Sequence, residues 1–194
     1  MFALDATASR QPTWDRACQL QGEMFAAVAE LGGLAIQLVW YRGYGEFQTE
    51  PWLIDSVELQ RRMTGVQCRG GLTQMGRVLQ HVLQETRRHR VNALALVGDC
   101  LEEPIDLLCH SAGELGLLGV PVFAFQEGDD LEAAQGFREI ARLTRGAYCR
   151  FDAGSARQLR ELLRAVAVYA AGGRQALATF GQHSELLRQL TEAK

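Results

Sequence analysis

The sequence predicts an α/β fold, a doubly wound and mostly parallel sheet with helices on both faces and one short antiparallel edge strand. Three observations carry this expectation. Apolar runs of strand length alternate with segments of helical period along the whole chain. The runs at residues 91–97 and 120–125 are apolar nearly throughout, as strands buried on both faces are. Most helical segments open on a capping residue or close on glycine.

The elements follow in order. Phe2, Ala3 and Leu4 run into Asp5 like the end of a buried strand. That run is short for a first core strand, so either the N-terminus has been trimmed or residues precede Met1. Pro12 and Thr13 open a helix carrying Trp14, Ala17, Cys18, Met24, Phe25, Val28 and Leu31, and Gly32 and Gly33 stop it. Residues 35–41 form a second buried strand. Residues 46–49 form the edge strand, which Pro51 breaks. Asp55 and Glu58 make a capping box for a helix to about Met63. Thr73 caps a helix with Met75, Leu79, Val82 and Leu83 on one face.

After the strand at 91–97, Pro104 sits in the first turn of a helix whose stripe is Ile105, Leu108, Cys109, Ala112 and Leu115. A strand at 120–125 precedes a helix capped by Asp129 with Glu132 and ended by Gly146. Residues 147–151 are the last strand. Ser155 with Gln158 caps a helix bearing Leu159, Leu162, Leu163 and Val166, which Gly172 and Gly173 end. The expected division is a domain at 1–173 and a helical extension at 174–194, packed on that domain through Leu177, Phe180, Leu187 and Leu190.

Composition narrows the function. The net charge of -3 argues against a general nucleic-acid binder. No apolar run is long enough to span a bilayer, and no signal-peptide pattern opens the chain. Cys18, Cys68, Cys100, Cys109 and Cys149 are odd in number and form no C-x-x-C pair, which favours a reducing cytoplasm and buried thiols. Lys194 is the only lysine, so no Walker A loop exists and a receiver domain is disfavoured. His81, His89, His110 and His183 lack metal-ligand spacing with the cysteines, and no G-x-S-x-G elbow is present. Arg87, Arg88, His89 and Arg90 suit a helix C-terminus better than a nucleic-acid patch.

Ligand sites in such sheets lie beyond the carboxyl ends of the strands, near a topological switch. Three segments meet that condition: Asp5 to Ser9 after the first strand, Gly70 to Thr73 before a helix, and Gly98-Asp99 after the strongest strand. Singly, each reads as a helix-entry turn, an N-cap or a loop residue. Together they bring two carboxylates and three hydroxyls to one edge. Two carboxylates about 4 Å apart repel by about 4 kcal/mol at an effective dielectric near 20. With no lysine to neutralise them, a divalent cation fits. The oxygen donors of Asp5, Thr7, Ser9, Thr73 and Asp99 suit Mg²⁺, with Mn²⁺ or Ca²⁺ as alternatives, and not zinc. Glu102 and Glu103 either tune the charge of the site or serve as first-turn helix acids.

D-x-T-x-S after the first strand, a threonine before a later helix and an aspartate after the fourth core strand resemble the metal-ion-dependent adhesion site of von Willebrand factor A domains. The resemblance spans residues 2 to about 173 in element order and implies a Rossmann-like fold. It implies that Thr7 and Ser9 ligate the metal directly, that Thr73 does so when a ligand is bound, and that Asp5 and Asp99 act mainly through water. An open position would then take an Asp or Glu of a partner protein. Threonine stands at position 7 where the family usually has serine, the third motif is Gly98-Asp99-Cys100 where the family often has T-D-G, and Leu72 separates Gly71 from Thr73. Stand-alone bacterial relatives of this type look like assembly or stress-response adaptors, which implies a non-enzymatic, cytoplasmic binding module. Arg10, Gln11, Trp14, Tyr44, Arg69 and Leu101 are the expected rim, although Trp14 reads more simply as helix core. The alternative is an Mg²⁺-dependent phosphohydrolase of haloacid dehalogenase type with Asp5 as nucleophile. That chemistry usually needs a lysine to hold the phosphoryl group, a role an arginine would have to fill.

Overall fold

The computed structural model describes residues 1–10, 34–151 and 156–181. The expected helix between Pro12 and Leu31, with Cys18, Gln11 and Trp14, lies outside them, as do Ser155 and residues 182–194. Among the described residues six strands form one sheet: β1 (Phe2–Asp5), β2 (Ile36–Arg42), β3 (Glu46–Leu53), β4 (Leu94–Gly98), β5 (Val122–Glu127) and β6 (Ala147–Phe151). Their spatial order is β3-β2-β1-β4-β5-β6. Only the β2–β3 pair is antiparallel; the other four pairs are parallel. The described helices are α1 (Ser56–Thr64), α2 (Met75–Arg88), α3 (Ile105–Leu117), α4 (Leu131–Leu143) and α5 (Ala156–Gly181), with a 3-10 turn at Ala8–Arg10.

Side chains alternate between two cores, as the period of a strand requires. Phe2, Leu4, Leu38, Ala95, Phe123 and Phe125 face Leu59 and Met63 of α1 and Leu162, Leu163 and Val166 of α5. Ala3, Val39, Leu94, Leu96, Val122 and Ala124 face the apolar stripes of α2, α3 and α4. Helices therefore cover both faces, as the sequence predicts.

Several boundaries differ from expectation, each for a physical reason. The edge strand β3 runs through Pro51 to Leu53. Its register shifts where Gln37 pairs with Trp52 and Val39 with Thr49, so Glu50 and Pro51 together oppose Leu38. A bulge on an edge strand tolerates the missing N–H of proline. α4 is capped by Asp130 rather than Asp129: its carboxylate accepts from Ala133 N at 2.6 Å. α4 ends at Leu143, and Gly146 is needed for a different purpose, because a Cβ there would lie 1.9 Å from the carbonyl oxygen of Val122. The paired glycines do interrupt α5, as the sequence predicts: Gly173 takes a non-helical φ of 70° and ψ of -163°, which only glycine adopts readily, and a second helical stretch runs on to Gly181 with Leu177 buried in the first core.

Thr73 does not cap α2. The N-cap position is Gln74, whose side chain makes no capping bond. Glu103, from the loop after β4, instead accepts from Met75 N at 2.6 Å and Gly76 N at 2.8 Å. A carboxylate on two free N–H groups at the positive end of a helix is a favourable cap. Glu103→Ala is expected to cost about 0.5–2 kcal/mol in urea unfolding. Of the arginines at the other end of α2, Arg88 pairs within the helix with Glu85 at 3.2 Å and Arg87 reaches Glu114 of α3 at 3.6 Å.

Candidate metal centre

The sheet order makes β1 and β4 neighbours although the chain leaves them in opposite lateral directions, to β2 and to β5. Their junction is the topological switch point. Leu4 pairs with Val97, so Asp5 and Asp99 both emerge at this carboxyl edge. Gly98 leaves room between them: a Cβ there would lie 3.3 Å from Met75 Cε and 3.7 Å from Asp5 Cβ.

Asp5 is fully buried. One carboxylate oxygen accepts from Thr7 N at 2.7 Å and the other from the Tyr41 hydroxyl at 3.3 Å. The hydroxyls of Thr7 and Ser9 are 3.1 Å apart. Ligand atoms of Asp5, Asp99 and Cys100 lie within 4.8 Å of one another. Asp99 Oδ1 is buried and accepts no hydrogen bond among the described residues. Burial pushes the Asp5 carboxyl up from 3.8 to about 6; the Thr7 hydrogen bonds oppose this, the nearby Asp99 adds to it, and Arg10 opposes it. Burial also pushes the Cys100 thiol up to about 12, with the Asp99 and Asp5 charges adding to it. Without a metal ion beside it the sulfur stays protonated at neutral pH, and as a soft donor it suits a hard cation less well than the carboxylates do.

Thr73 is buried on the loop before α2 and is tied to the loop after Asp99. Its hydroxyl accepts from Glu102 N at 3.0 Å, while Thr73 N donates to the Glu102 carboxylate at 2.7 Å. Glu102 and Glu103 thus clamp the Thr73 loop to the Asp99 loop. A second clamp joins the Thr73 loop to β1 and β2, through Arg69 N to Ala6 O at 3.0 Å and Leu72 N to Gly43 O at 3.2 Å. Gly71 approaches Gly43 so closely that a Cβ would lie 2.1 Å from the Gly43 carbonyl oxygen.

Two roles were not legible in the sequence. Arg10, expected on the rim, is only 1% exposed, and its Nε donates to the Glu127 carboxylate at 3.1 Å. Glu127 ends β5, where a buried polar pair, Gln126 and Glu127, closing the apolar run Val122 to Phe125 was the available signal. Tyr41 reads as core from the sequence but points its hydroxyl at Asp5. Of the other rim residues, Tyr44 and Arg69 are exposed and Leu101 is half-buried under Gly136.

No protein-family model and no curated protein sequence matches the chain. Solved structures do. Proximal thread matrix protein 1 from the mussel byssus aligns with a TM-score of 0.66 at 18% identity, over 88% of this chain and 46% of that one. The chain thus spans about half the length of that protein. The SpRpn10 VWA domain aligns with a TM-score of 0.64 at 14% identity, covering 82% of this chain and 93% of that one. The vWF domain of the type V pili tip protein Mfa5 from Porphyromonas gingivalis aligns with a TM-score of 0.59 at 11% identity, covering 95% of this chain and 96% of that one. The fold is of the von Willebrand factor A type. No helix among the described residues is long and apolar enough to cross a membrane.

Proposed function

We propose that this domain is a non-enzymatic, divalent-cation-dependent protein-binding module. Asp5, Thr7, Ser9, Thr73 and Asp99 would hold Mg²⁺, with Mn²⁺ or Ca²⁺ as alternatives, and the bound ion would supply an open position for an Asp or Glu of a partner. The observation that carries this reading is the Asp99 carboxylate, whose buried Oδ1 has no hydrogen-bond partner among the described residues and which offers a ligand atom within 4.8 Å of one from the buried Asp5 carboxylate. Buried polar atoms are normally hydrogen-bonded, and two carboxylates at this spacing repel each other, which a bound cation would relieve. Asp5, Thr7, Ser9, Thr73 and Asp99 all offer oxygen donors, which suit a hard cation.

The chain's own groups prepare the site. Thr7 N and Tyr41 orient the Asp5 carboxylate. The Glu102 and Glu103 contacts fix the Thr73 loop beside Asp99. The phosphohydrolase alternative is less well supported. Asp5 would need a cation over its substrate, and Arg10, the nearest arginine in sequence, is engaged with Glu127.

Thermal unfolding with millimolar Mg²⁺ or with chelator tests the reading. Wild type should gain about 2.7 kcal/mol at a hundred times its dissociation constant, or roughly 5–10 °C. Asp99→Ala should gain nothing. No response of the wild type to Mg²⁺, Mn²⁺ or Ca²⁺ would remove the metal from the proposal.

A further inference from the structure

The hairpin between β2 and β3 is built as a fixed platform beside the site. Gly43 and Gly45 take φ values of 60° and 107°, which place Tyr44 alone at the tip. Such a two-stranded tip is ordinarily mobile, yet this one is tied down from below. Gly43 O accepts from Leu72 N at 3.2 Å, and Gly45 O accepts from Arg77 at 2.8 Å. Gln74 Nε2 donates to the carbonyls of Arg42 at 3.3 Å and Glu46 at 3.2 Å, and Arg42 donates to Gln67 O. Held this way, Tyr44 is 88% exposed and Leu72, the residue before Thr73, is 50% exposed. Arg69 lies alongside, with its Cδ 4.0 Å from where a Gly43 Cβ would be, and its head is exposed.

We infer that this shoulder of Tyr44, Leu72 and Arg69 selects the residue flanking the metal-bound acid of the partner. The inference rests on the metal-dependent reading above. The occupant is an extended protein segment in which a Glu or Asp is directly followed by a bulky apolar residue. Leu72 directly precedes Thr73, and its N–H is bonded to the base of the Tyr44 turn, so a flanking side chain would lose water against Leu72 and Tyr44. A fixed aromatic presents contact area with little ordering cost on binding. The Arg69 guanidinium supports an anionic segment and opposes a cationic flank.

Acetylated, amidated hexapeptides Ala-Ala-Glu-Xaa-Ala-Ala, with Leu, Ala or Lys at the varied position, test this by NMR titration in saturating Mg²⁺. The Leu peptide should bind wild type about tenfold tighter than the Ala peptide, and the Lys peptide should bind weakest. Tyr44→Ala and Leu72→Ser should erase the Leu preference while keeping the full Mg²⁺-dependent rise in melting temperature. Equal binding of the Leu and Ala peptides, a preference for Lys, or no peptide binding by a protein that responds to Mg²⁺ overturns the shoulder alone. Failure of the wild type to respond to Mg²⁺ overturns both readings.

Discussion

Asp5→Asn, stripped of divalent cations, should unfold at a higher temperature than wild type at pH 7. The reason is the position of Asp5, fully buried and close to Asp99. Its carboxyl titrates near 6 in the folded state against 3.8 ordinarily, because burial penalises the charge and the Asp99 charge adds to that penalty. A folded-state value above the unfolded one means that the native state binds the proton more tightly. The stabilisation from Asp5 is therefore fully present below about pH 3.8 and is lost as pH rises through about 6. The loss at neutral pH is about 3 kcal/mol. Asparagine removes the charge and keeps an oxygen for Thr7 N. A gain of about 1–3 kcal/mol, or several degrees, is the expected result, shrinking towards pH 4. In Mg²⁺ the order of response reverses: wild type gains and Asp5→Asn does not. A stabilised variant that has lost its ligand is the mark of a site kept at the expense of stability. A lower melting temperature for Asp5→Asn in chelator would mean that the Asp5 charge is already satisfied by the protein.

The residues that the sequence made legible are those whose role is local. The apolar runs of β4, β5 and β6 and the period of α2 and α3 identify themselves without their neighbours. Asp5, Thr7 and Ser9 can be read as a group because they fall within five positions, where Thr7 N reaches the Asp5 carboxylate and the Thr7 and Ser9 hydroxyls face each other. What was not legible depends on contacts between segments distant in the chain. The cap of α2 comes from Glu103, 28 positions after Met75 and beyond β4, so a helix-opening threonine looks like the cap. Pro51 reads as a strand end because nothing in the sequence announces a bulge opposite Leu38. Arg10 sits in a polar stretch, and only the fold brings it to Glu127, 117 positions away. The same holds for Tyr41, whose hydroxyl finds Asp5 only once β1 and β2 are paired in register.

That distant pair carries the second large effect. Glu127→Ala should destabilise the protein by about 3–5 kcal/mol in urea unfolding, the usual cost of removing one partner of a buried ion pair. The Arg10 side chain is 1% exposed and that of Glu127 10%, so water cannot replace the lost carboxylate. Arg10→Met with Glu127→Leu should recover most of that loss, since apolar groups of similar volume need no counter-charge. The double variant then separates stability from ligand binding. Arg10 N donates to Thr7 O at 3.1 Å, which closes the turn that presents Thr7 and Ser9, and the Glu127 contact anchors that turn to the end of β5. The guanidinium also favours the ionised form of Asp5. Removing it raises the Asp5 carboxyl further, so the double variant, though folded, should bind Mg²⁺ more weakly than wild type at pH 7 and recover part of the difference at higher pH. A double variant with wild-type Mg²⁺ affinity at both pH values would assign the pair to packing alone.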